Sequence, residues 1–129
     1  MKPAYLDSSF LVALALGERG WERLRSILRR YDTLLAAELL AAEFLAVARR
    51  EGLSEEDARA PLYAIRWVIP DRPIRPELEK VLTAGYLRGE DAWHLACACF
   101  LAPVPKDLPF LTRDRKQRAV AKKLGFPTP

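Results

Sequence analysis

Three short apolar runs constrain the fold of this chain most: "AYL" at 4–6, "TLLA" at 33–36 and "FLT" at 110–112. Each is too short to stand alone, and long helical patterns separate them. Strands joined by helices or helix pairs imply right-handed crossovers in one sheet. The arrangement predicts an α/β fold, a small, mostly parallel sheet flanked by helices, with far more helix than strand. In such sheets the working crevice opens beyond the carboxyl ends of the strands. Residues that immediately follow the runs are therefore the first to weigh.

The segments between the runs read as helices and breaks. Ser8 or Ser9 is placed to cap a helix with Phe10, Leu11 and Leu14 on its apolar face. Gly17 and Gly20 punctuate it, and "WERLRSILRRY" makes a second helix that turns Trp21, Leu24, Ile27 and Leu28 inward. A longer helix runs from about Glu38 to Glu51 and stops at Gly52. "SEEDARAPLYAIRW" opens with Ser54 and Asp57 at capping-box spacing and reads as a helix that Pro61 kinks or restarts. Three prolines bar helix in "VIPDRPIRP", after which "ELEKVLTAGYL" is helical. "GEDAWHLACAC" begins the next helix, and "DRKQRAVAKKLG" the closing one, with Gly125 past its end.

A length of 129 residues suits a single domain over 1–129, and half of the residues are hydrophobic, as in a globular chain. The net charge of +4 is compatible with a polyanionic partner without demonstrating one. Cys97 and Cys99 point to different sides of one helix and lack zinc-ligand spacing, so they read as buried core residues in a reducing compartment. With no signal-like N-terminus and no apolar run of membrane-spanning length, the expectation is a cytoplasmic protein without a membrane partner.

Carboxylates occupy awkward places. Asp7 follows the first run beside Ser8 and Ser9, and Asp114 follows the last beside Thr112. Either alone reads as a helix cap, yet both should open on the same edge of a parallel sheet. Glu43 falls within the apolar stripe of Leu39, Leu40, Phe44 and Val47, whereas Glu38 projects elsewhere, near Arg49. A carboxylate in such a stripe needs a salt bridge, for example to Arg50, or a cation. Glu90 and Asp91 open a helix that is apolar nearly all round, one turn before His94. That pair reads as caps or ligands, and a lone histidine there reads first as a packed, hydrogen-bonded residue.

Four like charges converging within a few ångströms disfavour full ionisation unless a cation joins them. Oxygen ligands without cysteine suit Mg²⁺ or Mn²⁺. A site of that kind suits water attack on a phosphodiester.

"YLDSSFLVAL", "AAEFLAVARREGL", "RGEDAWHLACA" and "FLTRDRKQRAVAKKLGF" resemble, in order and spacing, the PIN-domain nucleases, and within them the VapC-type toxins. The likeness covers essentially the whole chain and implies a three-layer α/β/α arrangement. It assigns the family's catalytic and metal-binding acids to Asp7, Glu43, Asp91 and Asp114, choosing Asp91 over Glu90. It also implies a Mg²⁺- or Mn²⁺-dependent endoribonuclease that acts on RNA, often a homodimer, with a small antitoxin as partner. Ser9, Thr112, Arg113, Arg115 and Lys116 surround those acids and are candidates for substrate binding. Two other readings compete. One is a catalytically inert RNA- or protein-binding domain of the same fold. The other is a phosphotransferase using Asp7 as nucleophile, which Ser9 disfavours by standing where a second Asp is expected.

Overall fold

A computed structural model describes residues 1–129. Four strands, β1 (Pro3–Leu6), β2 (Thr33–Ala37), β3 (Ile65–Val68) and β4 (Phe110–Leu111), form one sheet in the order β3-β2-β1-β4. All three pairings are parallel, with Tyr5 opposite Leu35 and Leu6 opposite Leu111. Helices α1 (Ser8–Ala15), α2 (Trp21–Leu28), α3 (Leu39–Arg50) and α4 (Glu55–Arg59) precede β3, and α5 (Arg75–Ala84) and α6 (Gly89–Leu101) follow it. The last helix, α7 (Arg115–Lys123), follows β4.

Alternation along the strands builds two cores. On one face Leu6, Ala36, Ile65 and Leu111 pack with Phe10, Leu24, Leu40 and Phe44 of α1–α3. On the other, Tyr5, Ala37, Val68 and Phe110 pack with Val81, Leu95 and Val120 of α5–α7. Helices thus cover both faces of the sheet. Tyr5 stacks on Phe110 at 5.4 Å and its hydroxyl accepts from the Ala37 amide, so the central strand is fastened to both neighbours.

The segment 54–67 differs from its helical expectation. Ser54 does cap α4, accepting from the Asp57 amide, but the helix ends at Arg59. A 3₁₀ turn over Ala60–Ala64 takes up Pro61, and Ile65–Val68 becomes the edge strand β3. Proline lacks the N–H that an α-helix interior requires. Beyond it, Ile65 and Val68 turn to opposite cores, as strand periodicity demands. Helix α5 begins at Arg75 and stops at Ala84, short of the expected Tyr86-Leu87. Gly85 follows at a close crossing, where a Cβ would lie 2.8 Å from Val120 Cγ2. Cys97 is in the core, while Cys99 is only half-buried, contrary to expectation.

From β1 the chain moves outward to β2 and β3, then returns to add β4 on the other side of β1. The direction reverses between β1 and β4, and ligand crevices form at such switch points. Asp7 and Asp114 leave the sheet at this place.

Candidate active site

Asp7 is the N-cap of α1, as one reading of it expected, and Ser8 and Ser9 do not take that task. Its Oδ2 accepts from the Ser9 amide at 3.1 Å and from Ser9 Oγ at 2.6 Å. Its Oδ1 accepts from Gln117 Nε2 at 3.2 Å. Only 2% of Asp7 is exposed, so it is a fixed, shielded carboxylate and badly placed for an exposed nucleophile. That geometry removes the main support for phosphotransfer through Asp7.

Glu43 does not pair with Arg50, which binds Glu51 instead. Its Oε1 accepts from Ser8 Oγ at 3.2 Å and from His94 Nε2 at 2.6 Å. His94 is fully buried on α6, so this bond joins helices from opposite faces of the sheet just past the end of β1. Burial disfavours the imidazolium. The Glu43 bond and the nearby charges of Asp7, Glu43 and Asp91 outweigh it and hold the histidine pKa above its ordinary value.

Asp91 stands differently. Its carboxylate accepts no hydrogen bond, and its nearest cation is Arg88, with Nε 3.9 Å from Oδ2. Partial burial, then the charges of Asp7 and Asp114, push its pKa up, and Arg88 only partly opposes them. Glu90 beside it is exposed and within 3.8 Å of Arg88. Asp114 caps α7 by accepting from the Gln117 amide at 2.8 Å through Oδ1. Asp91 and Asp114 together line a cleft of about 580 Å³ with Tyr86, Arg88, Arg115 and Lys116.

The chain's one glutamine is the residue that sequence reasoning passed over. Gln117 is fully buried, and its Nε2 donates both to Asp7 and to the Asp91 carbonyl. Its Oε1 accepts from Thr112 Oγ1 at 2.6 Å, and Thr112 Oγ1 in turn accepts from the Asp114 amide. One side chain therefore ties together the three segments that carry Asp7, Asp91 and Asp114. Two signals for it existed. Gln117 lies three residues beyond Asp114, at capping-box spacing, and on the apolar stripe with Val120 and Ala121.

The substrate-binding candidates divide. Thr112 is buried in this network, and Ser9 is half-buried, with its Oγ accepting from the Arg113 amide. Arg115 and Lys116 line the cleft, whereas Arg113 turns away to the Arg19 carbonyl, with Nη1 4.0 Å from Glu18.

The donors fit a hard divalent cation in chemistry, since all four acids offer oxygen, and burial together with the charges of Asp7 and Asp114 leaves Asp91 reluctant to ionise without one. As packed, no three of the acidic, imidazole or thiol groups are close enough to share one ion. Glu43 is turned to His94, and Asp7 and Asp114 serve as caps.

The class of protein is thus a parallel α/β sheet covered by helices on both faces, with buried and half-buried acids at its switch point. The chain matches the PIN domain family over residues 4–123 and belongs to it. Domains of that family are generally nucleases and typically use divalent metals. No curated protein matches the chain. No helix is long and apolar enough to cross a membrane.

Proposed function

We propose that this protein is a Mg²⁺- or Mn²⁺-dependent endoribonuclease, the VapC-type toxin of a toxin–antitoxin pair. In this reading residues 1–129 form one nuclease domain that acts in the cytoplasm, as a homodimer, until a small antitoxin occludes its cleft. The observation that carries the nuclease is the pairing of Asp91 and Asp114 in one cleft, with Asp7 fixed behind them and Asp91 burdened by both. The toxin assignment rests on the resemblance of the four quoted segments.

Asp7, Glu43, Asp91 and Asp114 would be the catalytic acids that hold the cation, with Asp91 and Asp114 already sharing the cleft and Asp7 and Glu43 having to turn from their present partners. A bound divalent cation supplies an activated water and withdraws charge from the phosphoryl oxygens. Gln117 holds the segments that carry Asp7 and Asp91 in fixed relation. Arg115 and Lys116 on the cleft wall would bind phosphates beside the scissile bond.

Cleavage of a mixed RNA pool by wild type and Asp91→Asn, with Mg²⁺ or Mn²⁺ and with chelator, tests the proposal. The expected result is metal-dependent cleavage that the variant loses. A second reading, an inert RNA- or protein-binding domain, draws on the acids that act as caps and on their failure to converge. RNA binding without cleavage, and no divalent binding by calorimetry, would establish that reading in its place.

A further inference from the structure

Around the N-terminal end of α7 from the acidic cleft lies a second recess of about 420 Å³, lined by Arg23, Arg113, Arg115 and Arg118. No Asp or Glu side chain lines it, and Thr128 and Pro129 at the end of the chain complete the wall. Arg23, Arg115 and Arg118 form no ion pair anywhere in the chain, and Arg113 reaches only Glu18, at 4.0 Å. Four guanidinium groups gathered with so little counter-charge repel one another, and an anion entering the recess would relieve that repulsion.

Arg118 gives independent evidence. Its Nη2 donates to the Thr112 carbonyl at 2.7 Å, which fixes the side chain against the same strand end that supports Asp7. Its Nε is buried and has no partner. Held at the Thr112 carbonyl, the guanidinium is ordered before any anion arrives. Arg115 lines both this recess and the acidic cleft, so the two adjoin at that residue.

We propose that Arg23, Arg113, Arg115 and Arg118 form a binding site for backbone phosphates of single-stranded RNA, adjoining the acidic cleft. The choice of RNA rests on the nuclease reading above; the anion site rests on the arginines themselves. Guanidinium forks match phosphate oxygens in pairs, and the recess contains no aromatic side chain for base stacking. The site therefore binds without regard to sequence and sets the direction in which a strand leaves the cleft.

Fluorescence anisotropy with a labelled single-stranded RNA of about 12 nucleotides, in chelator so that nothing is cut, measures the site. Variants are Arg23→Ala and Arg23→Ala/Arg118→Ala, against the charge-matched Arg49→Ala/Arg66→Ala on distant exposed surface. If two phosphate contacts are lost, the double variant weakens binding about tenfold or more and lowers the salt slope by roughly 1.4, while the control changes neither. Arg23 makes no hydrogen bond through its side chain, so Arg23→Ala gives half that slope change even if Arg118→Ala impairs folding.

Equal losses in the pocket variants and the control would overturn the site in favour of general charge. Absence of RNA binding by wild type at low salt would also overturn it. Competition by polyglutamate at matched charge, abolished by Arg23→Ala, would reassign the recess to an acidic protein partner. The outcomes separate from the nuclease reading, because cleavage is scored apart from binding. RNA binding that depends on Arg23 in a protein that never cleaves keeps the pocket and removes the nuclease. Cleavage with KM unchanged in the double variant does the reverse.

Discussion

The candidate site has two unlike halves. Asp7, Glu43, Ser9, Thr112, Gln117 and His94 form a half-buried to buried network in which the buried polar atoms have partners, His94 Nδ1 being the exception. Asp91, Arg115 and Lys116 form an open wall where the carboxylate accepts nothing and the cations pair with nothing. The difference teaches which groups hold the molecule together and which remain free to meet a ligand. A satisfied buried network stabilises and specifies the fold. A carboxylate that accepts no hydrogen bond, feels the charge of two others and has only Arg88 to offset them is a cost to the fold, and sites that bind or react are where such costs are found.

Substitutions break this comparison in opposite directions. Asp91→Asn removes the open wall's charge and should lower RNA cleavage by about 10³-fold, or about 4 kcal/mol of barrier, while the protein stays folded. Rates under single-turnover conditions, with circular dichroism alongside, check this. Gln117→Leu acts on the closed half. It strips a donor from Asp7 and an acceptor from Thr112 in a buried place, and should cost about 2–3 kcal/mol in a urea titration. Loss of activity without loss of stability would place Gln117 with the open wall instead.

Asp114 belongs to both halves and sharpens the boundary between them. It caps α7 with one oxygen and lines the cleft. Asparagine caps helices as well as aspartate does, whereas alanine cannot, so Asp114→Ala should cost about 1 kcal/mol and Asp114→Asn only a few tenths. Both should lose cleavage. If Asp114→Asn cleaves normally, the carboxylate is a cap and nothing more.

How much of this was legible in the sequence depended on how local the deciding physics was. The strands at Tyr5, Leu35 and Phe110, the parallel sheet and the positions of Asp7 and Asp114 at its edge followed from apolar runs and their spacing. The edge strand Ile65–Val68 was hidden, because "PLYAIRW" has apolar spacing that also suits a helix and pairing with β2 decides the matter. The oddity of Glu43 was visible from helix periodicity. Its partner was not, since His94 lies 51 positions away across the sheet end and no local pattern links them. Gln117 carried a local signal, but a neutral amide on an apolar stripe attracts less notice than an acid.

The smallest expected effect bears most directly on the contrast between the halves. Asp91 lies in the first turn of α6, where the helix dipole and Arg88 favour its charged form. Burial and the charges of Asp7 and Asp114 oppose them and prevail, so its pKa in the folded chain is raised. Between the unfolded and folded pKa values the folded state then binds more protons. Stability from this group is full below the unfolded pKa and declines as pH rises through the folded one. Asp91→Asn should therefore melt slightly above wild type at neutral pH, and the gap should close as pH falls below the ordinary carboxylate range. Thermal melts of both proteins across that interval, without divalent ions, measure it. A variant that melts below wild type at neutral pH would mean that the dipole and Arg88 dominate, and that Asp91 is one more cap among the buried acids. A gap that also reverses on adding Mn²⁺ to wild type would mean that the open wall's unfavourable charge is relieved by a cation.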